Sequence, residues 1–228
     1  MNPRVKKQSA RSLATQQALR EAAEKLIARK GIQNVSIKSI VEEAGQKNES
    51  ALQYHFKNLK GLMDAIHATR TLQTRQKRAE LLAELLAELD KNELDPTLRE
   101  LCKLMVSPSY LLAKSDPKYR RFVTSFSHEL ALTENSALTR VYNHGGGGES
   151  GKRTGKLLRS ALPHLNEATY RMRMDIAVRT TAIAMGHHAR QKNAFRGIES
   201  ERFLSHLVDA ITGILSAPVS DETRTYED

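Results

Sequence analysis

The stretch from Ser36 to Lys60, SIKSIVEEAGQKNESALQYHFKNLK, constrains this chain more than any other. Ser36 is a good helix N-cap, because its hydroxyl can accept from the unpaired amides of a first turn. Ile37, Ile40, Val41 and Ala44 follow at helical spacing, and Gly45 stands where a left-handed C-cap is wanted. A second helix is expected from about Asn48, carrying Ala51, Leu52, Tyr54 and Phe56 amid Asn48, Glu49, Ser50, Gln53 and His55. Two short helices joined by a tight turn, closed by aromatics and followed by basic residues, spell a helix-turn-helix. One helix braces while the other offers a polar face to the major groove of DNA.

Charge supports that reading through its distribution. The whole chain of 228 residues carries 36 Lys and Arg against 26 Asp and Glu, a net +10 that favours polyanionic partners. Through Lys60 there are 12 basic and 5 acidic residues, so most of the excess sits in the first quarter. Residues 1–11, with Arg4, Lys6, Lys7 and Arg11, read as a flexible basic arm, suited to the minor groove, to phosphates or simply to solubility. The tail, residues 218–228, is acidic and expected to be disordered.

The flanks make the pattern specific. TQQALREAAEKLIARKG (residues 15–31), SIKSIVEEAG, ALQYHF and KNLKGLMDAI stand in register with four elements of one family. Over roughly residues 12–67 the chain resembles the tetracycline-repressor-like (TetR) family of bacterial regulators. In that resemblance Thr15 caps the first helix, Ala22, Ala23, Leu26 and Ile27 form its buried face, and Gly31 ends it. Two departures are visible. The turn GQKN is one residue longer than the commoner pattern, and Gln53 stands where the family often has Tyr.

The resemblance implies an all-α fold: a helix-turn-helix DNA-binding domain over residues 12–60 and a helical effector-binding and dimerisation domain over 61–217. The remaining sequence is helical in pattern. Leu62 begins a helix through Ile66 and Leu72, and a stripe follows at Leu81, Leu82, Leu85, Leu86 and Leu89. Asp95-Pro96 opens a helix that Pro108 is expected to interrupt, and Asp116-Pro117 opens another with Phe122, Phe126 and Leu130. Gly145 to Gly148 read as a loop; they lack the lysine and serine or threonine of a phosphate-cradling P-loop. Lys152 to Leu162, Glu167 to about Gln191 and Glu199 to Ser216 complete the set. In proteins resembling this one the last two long helices dimerise, and Ile176, Ala177, Thr180, Thr181, Ala184 and Gly186 are small enough for close approach. The same faces also fit burial within one chain.

The chemistry expected is recognition. Ser36, Lys38, Tyr54, His55 and Lys60 are placed to hold phosphates, Lys60 near a helix start where backbone amides add to the site. Gln46, Lys47, Asn48, Glu49, Ser50 and Gln53 are the candidates for base edges. Tyr54 and Phe56 also fit wedging of the recognition helix onto the first helix. A two-fold dimer on a palindromic operator would set its recognition helices about 34–36 Å apart, or a multiple of that. The resemblance further implies a small-molecule effector that releases the protein from DNA. Met105, Tyr110, Phe122, Phe126 and Met174 fit an apolar pocket as well as a plain core, with Arg171 and Arg173 nearby for a carboxylate.

Other functions find little purchase. No nucleophile elbow, zinc-protease helix, dinucleotide fingerprint or P-loop is present, so neither an enzyme nor a cofactor is expected. His128, His144, His164, His187 and His188 lack ligand spacing for a metal. A lone Cys102 excludes an intrachain disulfide and suits a reducing compartment, and no apolar run is long enough for a membrane span. A cytoplasmic, ligand-responsive repressor acting as a homodimer is the expectation. A nucleoid-type DNA-binding protein without effector and, behind it, an enzyme with a helical substrate domain are the alternatives.

Overall fold

The computed structural model describes residues 3–132, 134, 136–139 and 147–226, with residues 3–9, 131 and 132 described by their backbone alone. Among the described residues the regular structure is helical: α1 (Pro3–Lys30), a short 3-10 turn (Ile32–Asn34), α2 (Ile37–Glu43), α3 (Ser50–Phe56), α4 (Leu59–Lys91), α5 (Leu98–Ser115), α6 (Pro117–Leu132), α7 (Gly148–Ser160), α8 (Glu167–Ala189), α9 (Gly197–Ser216) and a single turn, α10 (Asp221–Arg224). None of these helices is long and apolar enough to cross a membrane.

Local chemistry sets most of the boundaries. Ser36 forms a reciprocal cap with Ser39: the Ser36 hydroxyl accepts the Ser39 amide at 3.1 Å, and the Ser39 hydroxyl accepts the Ser36 amide at 3.1 Å. Gly45 leaves α2 at φ 67°, the left-handed conformation that glycine adopts without a Cβ penalty. At the start of α4 the Asn58 side chain accepts the Gly61 amide at 2.9 Å. Thr97 and Glu100 form a capping box on α5, Glu100 Oε2 accepting the Thr97 amide at 2.8 Å.

Two hydrophobic cores result. The first gathers Leu19, Ala23, Leu26 and Ile27 of α1, Ile40 and Val41 of α2, Leu52 and Phe56 of α3, and Leu62 and Ile66 of α4. The second joins α5, α7, α8 and α9 through residues such as Leu101, Tyr110, Leu158, Val208 and Ile211. Helix α4 serves both, burying Leu62 and Ile66 in the first and Leu82 in the second. Its 33 residues span roughly 50 Å at 1.5 Å per residue. The stripe from Leu62 to Leu89 is therefore one continuous helix.

Several expected boundaries shift. Helix α1 begins at Pro3, upstream of Thr15, so residues 3–11 continue the helix where a flexible arm was expected. Proline is tolerated in a first turn, and Gln8, Ala10, Arg11, Leu13 and Ala14 include strong helix formers. The recognition helix starts at Ser50, two residues after the expected Asn48. Helix α5 runs through Pro108 without interruption. A mid-helix proline costs about 3 kcal/mol, and the face burying Leu101, Leu104, Tyr110 and Ala113 offsets it. Gly145 and Gly146 lie outside the described residues, while Gly148 opens α7. In the acidic tail, Ser220 accepts the Thr223 amide at 3.2 Å and caps one helical turn.

Close packing of α4 on α3 depends on Gly61. A Cβ built there would lie 2.0 Å from the Phe56 carbonyl oxygen, a backbone atom. Gly61→Ala should lower the stability of the first core by about 1–3 kcal/mol, as overpacking does. Hydrogen exchange of the α2 and α3 amides checks this: exchange faster than in the unsubstituted protein is the expected result, and unchanged exchange would remove this role of Gly61.

Candidate nucleic-acid interface

Helix α3 divides along its length. Leu52 is fully buried and Phe56 is 8% exposed, seating the helix on the first core. Glu49, Ser50, Gln53, Tyr54 and Lys57 are all exposed. At 100° per residue these five fall within one arc, the side a DNA groove would meet. Phe56 thus has the wedging role expected of it. Tyr54 does not: it is 84% exposed and touches the edge of the His55 ring with centroids 4.9 Å apart. Its hydroxyl is available to a phosphate.

The turn between α2 and α3 sorts the remaining candidates. Asn48 Oδ1 accepts the Ser50 amide at 3.2 Å and also the Ser50 hydroxyl, a local turn just ahead of Glu49, the N-cap of the recognition helix. An oxygen engaged in that turn is not free for adenine; its amide group remains. Gln46 is half-buried, with its side-chain amide 3.3 Å from the Ala44 carbonyl. Lys47 and Glu49 are exposed. The Ser36 hydroxyl accepts the Ser39 amide and keeps its own proton for a phosphate.

Ion pairing decides which positive charges are free to meet DNA. Lys25 pairs with Glu43, and Arg29 lies 3.9 Å from the same carboxylate, tying α1 to α2. The hydrogen bond from Lys25 holds the Glu43 carboxyl below its ordinary range. Lys60 is exposed but lies 2.7 Å from Asp64, one turn on, so its expected phosphate contact competes with an internal one. Lys38, Lys47 and Lys57 are exposed and form none of the ion pairs among the described residues. Lys57 was not singled out from sequence. It ends α3 at φ 68°, a left-handed position rare outside glycine, which swings the chain into α4 beside the reading face. Asn58 immediately after it, a helix N-cap type, was the available signal.

The predicted pocket residues divide too. A cavity of about 420 Å³ lies among α4, α5, α6, α7 and α8, and Met105, Phe122, Phe126 and Met174 are among the residues that line it. Tyr110 is not on its wall: it is fully buried elsewhere, its hydroxyl 2.8 Å from Ser200 Oγ. Arg171 is exposed and reaches Glu167, and Arg173 donates to the Pro218 carbonyl at 3.2 Å, so both tie down local structure. Sequence reasoning missed the polar wall, which includes Arg70, Thr74, Arg78, Tyr119 and Thr154. Arg70, Thr74 and Arg78 recur every fourth residue just before the leucine stripe, a spacing that marks one polar line on α4.

The remaining titratable candidates are structural. His188 stacks on Phe203 with centroids 4.0 Å apart, and its Nε2 accepts the Phe195 amide at 3.2 Å. Burial depresses its pKa below the ordinary histidine value. Cys102 is fully buried, and burial pushes its thiol up, away from redox reactivity. His144 lies outside the described residues.

A basic helix-turn-helix set on the end of a long helix defines a DNA-binding regulator. Residues 19–66 match the model of the bacterial regulatory proteins of the tetR family. Among solved structures, the chain is similar to SCO7518 from Streptomyces coelicolor A3(2), described as a transcriptional regulator, at 18% identity and a TM-score of 0.44. That overlap covers 89% of this chain and 99% of the other. It is also similar to GusR of Salmonella enterica, at 15% identity and a TM-score of 0.41, covering 89% and 96%. No curated protein matches this chain.

Two substitutions separate the roles on α3. Lys57→Ala should weaken binding to all DNA sequences and flatten the log–log salt dependence by about one unit, as one lost phosphate contact does. Gln53→Ala should instead change which bases are preferred, by about 1–3 kcal/mol at one position. Fluorescence anisotropy over a salt series, on specific and scrambled duplexes, distinguishes them.

Proposed function

We propose that this regulator is a ligand-responsive repressor: a cytoplasmic homodimer that reads a palindromic operator and lets go when a small molecule fills the helical domain. One observation carries the ligand response. Phe126 belongs to the core of the DNA-binding unit and also lines the cavity. His67 and Arg70 of α4 stand on the same wall, a few residues beyond Leu62 and Ile66, which pack beneath the recognition helix. A molecule entering the cavity presses on side chains that position the reading head. A coupling of about 1–3 kcal/mol is enough to change operator occupancy usefully.

Dimerisation through the last two long helices is supported by what α8 and α9 leave uncovered. Met172, Ile176 and Ile183 are 67%, 46% and 55% exposed, and with Thr180 they form one line along α8. Ala210 and Gly213 of α9 are exposed and small. The small residues expected to share this face divide: Ala177 and Gly186 are buried within the chain, where a Cβ on Gly186 would lie 1.8 Å from Ser127 Oγ of α6. The line Met172, Ile176, Thr180, Ile183 is the one offered to a partner.

Selection of genomic DNA fragments by the purified protein at about 0.15 M salt, read by sequencing, is the test of operator binding. A single palindromic motif is the expected result. Enrichment without a shared motif would move the reading to a nucleoid-type binder. Ile176→Glu with Ile183→Glu should turn a dimer into a folded monomer by sedimentation and weaken binding to the full palindrome far more than to a half-site. An unchanged sedimentation coefficient would remove this face from the dimer.

A further inference from the structure

The cavity wall carries three basic side chains, and two of them are matched. Arg70 makes a two-pronged contact with Glu24 at 2.8 and 2.7 Å, and His67 lies 3.4 Å from Glu129. Arg78 is different. It donates over a long 3.5 Å to the Gly147 carbonyl, a neutral acceptor, and it enters none of the ion pairs among the described residues. Among the described residues, no Asp or Glu lines the cavity. Residues 140–146, RVYNHGG, contain no carboxylate. Arg75, one turn earlier, is a second cation nearby, with a buried Nε that lacks a hydrogen-bond partner.

A guanidinium withdrawn from water without a counter-charge is costly, and proteins pair such groups or leave them for a ligand. Burial and the neighbouring Arg75 depress the Arg78 pKa, opposed in part by Tyr119. An arginine nonetheless stays charged at neutral pH. Around it the wall is hydroxylic: the Tyr119 hydroxyl lies 2.7 Å from Thr74 Oγ1, and Ser109 and Thr154 line the same space. The wall also includes aromatic and aliphatic side chains, Phe122, Phe126, Met105 and Met174. The cavity is thus shaped for a molecule with one charged end and an apolar body.

We propose that the cavity binds an organic monoanion, a carboxylic acid with an apolar body, and that Arg78 holds the carboxylate. The inference rests on the ligand response argued above and names its chemistry. A guanidinium presents two parallel N–H donors to a carboxylate, whereas the matching amide offers one neutral oxygen.

The test uses the full chain and two matched pairs, 2-naphthoate against 2-naphthamide and octanoate against octanamide, by titration calorimetry at neutral pH. At least one acid should bind about tenfold or more tightly than its amide, a charged hydrogen bond against a neutral one. Arg78→Met, which keeps the apolar stem, should reduce that ratio to near one, and Arg78→Lys should restore part of it. Circular dichroism establishes that each variant is folded. Should Arg78→Met fail to fold, Arg78→Lys decides, since an ammonium cannot reproduce the fork and the ratio must fall. Acid and amide binding alike, a ratio unchanged by substitution, or no binding by either acid overturns the proposal. DNA affinity is read separately by anisotropy. An acid that binds without changing it leaves the site standing and removes the ligand response, and DNA release by the amides alone does the reverse.

Discussion

The pair Glu24–Arg70 holds the two halves of this chain in one arrangement. Its side chains are 2% and 9% exposed, and the guanidinium meets the carboxylate with two parallel bonds. Arg70 also donates to Gln73 at 3.0 Å and lies 3.5 Å from Asp116 at the entrance to α6. Burial alone would lower the Arg70 pKa, but Glu24 and Asp116 hold it above its ordinary value. Such a pair adds little net stability compared with apolar residues of similar size. It is intolerant of misplacement, because separating its members strands a charge at about 3–5 kcal/mol. Its worth is geometric. It fixes the first helix of the reading head, the long helix and the start of α6 relative to one another.

Around that pair the contacts between α1 and α6 are polar and directional. Lys118 of α6 pairs with Glu21, and the Ser125 hydroxyl donates to the Glu24 carbonyl at 3.1 Å. Phe126, one residue on, enters the first core. Successive residues of α6 therefore hold α1 by hydrogen bond and by apolar burial, while Phe122, a turn earlier, stands on the cavity. A displacement of α6 cannot be absorbed by slack at this junction. Packed interiors are close to crystal density, and directional bonds do not stretch far.

What the sequence disclosed and what it hid follow one physical division. Ser36, Gly45 and the apolar spacing of α2 are local: a cap or a left-handed turn is written in a few neighbouring residues. The exposure of Ser50 and Gln53 on α3 follows from the same kind of local periodicity. Asn48 suits both a base and a local turn by residue type, and only the chain's path through GQKN places its oxygen on the Ser50 amide. Pro108 was read as a stop because propensity says so, and tertiary burial of the surrounding face overrides propensity. Tyr110 and Arg171 were assigned to a pocket by proximity in sequence. Whether a helical side chain faces a cavity, a core or water depends on neighbours from distant helices, which periodicity cannot name. Arg78 was missed on the same ground, since its significance lies in the lack of a carboxylate across a space formed by five helices.

Net charge counted along the sequence suggested a basic head, and the structure changes what that count means. Lys25, Arg29 and Lys60 face carboxylates of their own chain and serve first to brace the helices. Lys38, Lys47 and Lys57 remain as exposed cations on α2, on the turn and at the end of α3. Those three lie on the elements a groove would meet. Diffuse basicity would attract DNA in many orientations; a few unpaired cations beside the recognition helix favour one. Within the chain an opposite logic governs the cavity, where Arg70 and His67 are matched and Arg78 is left unmatched. In both places the cations without a carboxylate partner among the described residues are the ones in position to take an anion from outside.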